Sequence, residues 1–218
     1  MRVTYYVEIF SSWCLWAEPA WAELQAKYAG RVAFDWKIAL MNADDFPETP
    51  EQCAWFYRRS GTVMQSPFML SPDWVEGGPR ERYITPNLVA EAARELGATG
   101  DEVRLALSHA AMREGRKVAR IEEAVAVAAA AGKLDPKALR ELAASTKVKD
   151  RVAASTAEFH AHRINQRPAF LLEDTIGDKA VISGLVGAGP LAATIDAMLA
   201  DTAAYVSYAA HHGKPPSG

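Results

Sequence analysis

Two strand-like ends, held apart by a long helical stretch, constrain this chain more than any other feature. At the start, "RVTYYVEIF" (2–10) alternates and is rich in Val, Tyr, Ile and Phe, as a strand is. Residues 19–29 follow as a helix, with Pro19 suited to its first position, Trp21, Leu24 and Tyr28 on one face, and Gly30 as its stop. "RVAFDWKIAL" (31–40) is a second strand, so the opening has the size of a βαβ unit. At the other end, Ala169–Leu172 and "KAVISG" (179–184) are short apolar runs joined by "DTIGD", a hairpin pattern, and "GPLAATIDAMLADTAAYV" follows as a helix.

Between these ends the pattern changes. Residues 41–85 carry five prolines and Gly77–Gly78, and only 51–60 is helical there. Then alanine-rich helices crowd together. "TPNLVAEAARELG" has Thr85 as its cap, Pro86 at the first position and Gly97 as its stop. "DPKALRELAAS" is capped by Asp135, and "KVKDRVAASTAEFHAHRI" puts Val148, Val152 and Phe159 on one face. Neither end can bury its apolar face alone, so the two are expected to share one sheet. The expected class is α/β. Residues 1–40 and 164–206 form the sheet layer, 41–163 an irregular segment and helical insertion, and 207–218 a disordered tail.

Composition excludes several functions. The 218 residues carry a net charge of −3, which implies no basic face for nucleic acid. No apolar run is long enough to span a membrane, and the N-terminus lacks the pattern of a secretory signal. Two cysteines, Cys14 and Cys53, are too few for a disulfide framework. A cytoplasmic location follows as the expectation, with no nucleic-acid or membrane partner.

Cys14 stands in "SSWCLWAEP", where a strand ends and a helix begins. The bland reading is a buried structural thiol. The functional one is a thiolate stabilised by the helix amides and dipole. A partner thiol three residues on is missing, because that position is Ala17. Trp13 and Trp16 flank Cys14 as an apolar wall or as core. Cys53 sits among Ala54 and Phe56 and is read as packing. His160 and His162 are two apart on a helix and point away from each other, so no metal is expected. "GLVGAGP" (184–190) lacks the dinucleotide fingerprint and is read as a turn and a helix start.

Two segments, "YYVEIFSSWCLWAEPAW" and "HRINQRPAFLLEDTIGDKAVISGLVG", resemble the thioredoxin-fold branch of DsbA-type oxidoreductases, 2-hydroxychromene-2-carboxylate isomerases and kappa-class glutathione transferases. The first is similar to that branch's strand, loop and C-P-W-C motif, the second to its cis-proline loop and hairpin. The resemblance implies a thioredoxin fold with a helical insertion between an N-terminal βαβ unit and a C-terminal ββα unit. It starts the first helix near Cys14 rather than at Pro19. It makes Cys14 the nucleophile and aligns Trp16 with the motif tryptophan. It places a cis Arg167–Pro168 bond beside Cys14, with the Arg167 backbone facing a bound thiol.

Three positions depart from the oxidoreductase pattern: Leu15 for the motif proline, Ala17 for the second cysteine, and Ser11 for an acid three residues earlier. The isomerases and transferases carry serines where the oxidoreductases carry cysteines. The implied function is single-thiol, glutathione-coupled thiol–disulfide chemistry. The alternatives are a glutathione-dependent isomerase or transferase, or a non-catalytic peptide-binding member. Trp13, Leu15, Trp16, Arg167 and Pro168 would bind a small thiol or peptide disulfide. Arg167 and Pro168 would also hold glutathione as co-substrate. Arg167 could lower the Cys14 pKa or pair with a substrate carboxylate, and a homodimer is a further expectation.

Overall fold

The computed structural model describes residues 1–184 and 187–213. Four strands form one sheet in the order β2-β1-β3-β4. β1 (Arg2–Val7) runs parallel to β2 (Ala33–Ile38) and antiparallel to β3 (Ala169–Glu173), which forms a hairpin with β4 (Lys179–Ser183). The two ends of the chain do share a sheet. Its register sets Tyr5 opposite Phe170, and the two rings stack with centroids 4.9 Å apart.

Strand alternation divides the sheet into two faces. Val3, Tyr5 and Val7 with Phe170 and Leu172 enter the main core, under α1 (Ser12–Lys27) and α8 (Ala188–His212). Tyr6, Ala169 and Leu171 enter a smaller cluster with Ala39, Ile164 and Phe159, which is carried by α7 (Thr146–Ala161). α7 is therefore a layer of the sheet domain, although the sequence pattern assigns 41–163 as one insertion. A helical pattern shows that a face is apolar but not which surface it covers. The insertion proper holds α2 (Pro50–Val63), α3 (Thr85–Glu95), α4 (Glu102–Met112), α5 (Ile121–Gly132) and α6 (Pro136–Ala144). Its core is continuous with the main one.

Three boundaries differ from the sequence pattern. α1 begins at Ser12 and carries Pro19 in its interior, as the resemblance implied and the local pattern did not. Ser11 caps it, its hydroxyl accepting from the Cys14 N–H at 3.3 Å. Thr85 is not a cap, because a 3₁₀ turn (Arg80–Ile84) runs straight into α3. α8 continues to His212, so 207–212 are helical where a disordered tail is expected. The rest of that tail, 214–218, lies outside the described residues, as do Leu185 and Val186 of "GLVGAGP".

Candidate functional site

α1 starts where β1 leaves the sheet, so its first residues stand at the sheet's end, beside the loop that precedes β3. There a cleft of about 690 Å³ is lined by Ser11, Trp13, Met41, Asp45, Arg59 and the loop Asn165–Arg167. Ser11 occupies the cap position and contributes to the cleft wall. Cys14 lies one turn further into the helix, is 1% exposed, and is not among the lining residues. Burial pushes its thiol up to about 11. The Ser11 hydroxyl and the Glu8 backbone act in the opposite direction and do not win.

This overturns the expectation of an activated Cys14 thiolate. It also bears on which residues stand at the helix start. The cap and first turn of α1 are Ser11-Ser12-Trp13-Cys14, and Ala17 lies further along the helix. Trp13 lines the cleft and Trp16 does not, and Ala17 is buried at 1% exposure. The physical reason is the cap. Ser11 at the N-cap is itself only 6% exposed but borders the cleft, whereas Cys14, three residues on, turns into the core.

The Arg167–Pro168 peptide is cis, and Pro168 is buried. Two nitrogens of the Arg167 guanidinium are committed to backbone carbonyls. Its Nε donates to the Ala39 carbonyl at 2.5 Å, a second nitrogen donates to the Leu40 carbonyl, and the group lies 4.6 Å from the centre of the Phe159 ring. Arg167 therefore clamps the end of β2 to the proline loop while still lining the cleft. Leu15 and Trp16 are not brought to that cleft. They face the opposite side of α1, against α4.

Two buried polar residues were missed in the sequence. Glu8 is fully buried, accepting from Asn87 Nδ2 at 2.6 Å and from the Phe10 N–H at 2.9 Å. Burial pushes its carboxyl up to about 7, against the opposing effects of the Asn87 bond and the Arg167 charge. Asn87, on α3, also accepts from the Ile9 N–H at 3.2 Å. The available signal was a lone carboxylate inside an apolar strand run, three residues before Ser11.

Below the cap turn, the fold spends a buried ion network on holding α1 in place. Arg104 is 1% exposed and grips Glu18 with two nitrogens, at 2.5 and 2.9 Å, and Asp101 at 2.6 Å. Tyr5 donates to the Cys14 carbonyl at 3.0 Å and is 3.2 Å from Glu18 Oε1. Trp21 Nε1 donates to Asp101 at 3.1 Å. Pro19 has no N–H for the Leu15 carbonyl, so these side-chain bonds help hold the turn together. Among the described residues no group of three metal-ligating side chains converges.

No protein-family model matches the sequence, and no curated protein matches it. Solved structures do. A protein from Nitrosomonas europaea, provisionally described as a protein disulfide isomerase, superposes with a TM-score of 0.74 at 16% identity, over 92% of this chain and 98% of its own. The cytosolic disulfide reductase DsbM from Pseudomonas aeruginosa superposes with a TM-score of 0.67 at 17% identity, over 84% of this chain and 89% of its own. The DsbM protein has also been solved with GSH. A 2-hydroxychromene-2-carboxylate isomerase superposes with a TM-score of 0.62 at 13% identity, over 94% of this chain and 99% of its own. The fold is thus the thioredoxin fold with a helical insertion. More narrowly, it is the form shared by DsbA-like oxidoreductases and this isomerase.

Proposed function

We propose that this chain binds a small thiol, glutathione being the abundant cytosolic candidate, in the cleft at Ser11. It uses that thiol as the glutathione-dependent isomerases and transferases do. One observation carries the reading: Ser11, itself 6% exposed, lines the cleft at the start of α1, while Cys14, 1% exposed, does not. The Ser11 oxygen accepts from the Cys14 N–H, which leaves the hydroxyl proton available to a thiolate sulfur. The N-terminus of α1 favours that negative charge. Asp45 and Arg59, which also line the cleft, offer partners of either sign to the charged ends of a tripeptide. The cytosolic setting of DsbM agrees with a cytoplasmic location.

Single-thiol redox chemistry at Cys14 is the second reading. It is favoured by the disulfide reductase among the structural neighbours and by the GSH-bound form of that protein. It requires the first turn of α1 to open, because an attacking thiolate needs access to the disulfide.

Calorimetric titration with reduced glutathione and intact-mass analysis after oxidised glutathione separate the two. The expected result is reversible binding that weakens in Ser11→Ala, with no adduct on Cys14. A Cys14 adduct without reversible binding would establish the redox reading. Neither signal would leave a fold without thiol chemistry. Ser11→Cys, which creates the two-residue spacing of a dithiol motif, should form a disulfide with Cys14, whereas Ala17→Cys should not gain reductase activity.

A further inference from the structure

On the side of α1 away from the cleft lies a second cavity, of about 320 Å³, between α1 and α4. Its size is at the lower end of small-ligand pockets, about 300–1,000 Å³. It lies where the sheet domain meets the insertion, a common place for a ligand. Trp16, Pro19 and Ala22 line one wall and Leu105, His109 and Arg113 the other, with Phe68 across the top. Each set of three repeats at helical spacing, so each wall is one stripe of its helix.

The charges in this cavity are not symmetric. At one end Glu18 and Asp101 are bonded to Arg104. At the other, Arg113 lies 3.5 Å over the Phe68 ring, which itself packs on Trp16 at 5.4 Å between centroids. Arg113 forms no ion pair among the described residues. Burial and the Arg113 charge hold His109 below the usual histidine range. Asp101 and His109 are eight residues apart, about 12 Å along the helix.

We propose that this groove binds an apolar aromatic carboxylate. The ring lies between Trp16 and Leu105, and the carboxylate sits at the Arg113 end, facing away from Glu18 and Asp101. The guanidinium, already seated on an aromatic face, keeps its edge free for a carboxylate. The site is separate from the cleft at Ser11 and does not depend on thiol binding there.

The test uses 2-naphthoate and its neutral isostere 2-naphthamide, titrated into the full chain by calorimetry, with and without saturating reduced glutathione. One 2-naphthoate should bind per chain, about tenfold to a hundredfold tighter than the amide, as a charge-assisted bond implies. Arg113→Ala should reduce naphthoate affinity to that of the amide, and Ala22→Trp, which fills the groove, should remove binding of both. Circular dichroism confirms that each variant is folded, and Arg113→Gln replaces Arg113→Ala if it is not. Glutathione should leave the affinity unchanged. Equal affinities for acid and amide, no effect of either Arg113 variant, displacement by glutathione, or no saturable binding would each overturn the proposal.

Discussion

At the cap turn of α1, Ser11 and Trp13 border the cleft, whereas one turn deeper Cys14, Ala17 and Glu18 are closed in by Tyr5 and Arg104. Both turns lie at the positive end of the same helix. The dipole there is worth about 0.3–1 kcal/mol to a negative charge. Burial moves the Cys14 thiol from 9.0 to about 11, which corresponds to about 3 kcal/mol against the thiolate. Desolvation therefore outweighs the dipole at the deeper turn. Position on the helix, more than side-chain chemistry, decides which group can act.

The strongest way to break this contrast is to remove what closes the deeper turn. Arg104→Met leaves Glu18 and Asp101 without their shared cation, at side-chain exposures of 14% and 19%. A loss of about 3–5 kcal/mol is expected. Urea unfolding at neutral pH measures it, and Cys14 should become open to alkylation in the same variant. An unchanged unfolding midpoint would show that the network is not what holds the turn.

Glu8 sharpens the contrast through pH. Its folded-state carboxyl stands at about 7 against 4.5 unfolded, so the native state holds the extra proton between those values. Stability should therefore fall as pH rises from about 4.5 to 7 and stay flat above, by something on the order of 3 kcal/mol. Glu8→Gln should remove that slope. Unfolding free energies across the range, wild type against variant, check it.

The next effect is kinetic. With its thiol near 11 rather than 9, native Cys14 should present about a hundredfold less thiolate at neutral pH. Iodoacetamide should label it more slowly than a model thiol at every pH from about 6 to 9, with occlusion adding to the delay. Labelling at the model rate would return the activated-thiol reading. The smallest effect belongs to the cap itself. Ser11→Ala should cost about 1 kcal/mol in thermal or chemical unfolding while leaving Cys14 unreactive.

Much of this architecture is legible in the sequence, for reasons specific to particular residues. The Val-Tyr alternation of β1, the "DTIGD" turn and the Asp135 cap are local signals, and each appears in place. The sharing of one sheet by the two ends follows from apolar faces that need a partner. The start of α1 was harder to read, because Pro19 has the look of a first helical residue and the capping hydroxyl of Ser11 is inconspicuous beside a cysteine and two tryptophans. For the same reason the sequence pattern does not show that Ser11, rather than Cys14, borders the cleft. Arg167 is a further case. Its charge is visible in the sequence, but the carbonyls of Ala39 and Leu40 that occupy it come from a segment far away along the chain. Glu8 was readable as an anomaly, although its partner Asn87 lies on another element.

The order of the sheet has a consequence for how the protein is made. β1 and β2 leave the ribosome early, but β3, which pairs with the other edge of β1, follows only after the whole helical block. At the usual pace of synthesis, about 5–20 residues per second, one side of β1 waits roughly ten seconds or more for its partner. During that interval the insertion can fold on local contacts, while the nascent βαβ unit exposes an unsatisfied strand edge rich in Val and Tyr. The helical block thus separates in time two halves that depend on each other in space, and chaperone protection during translation matters most in that window.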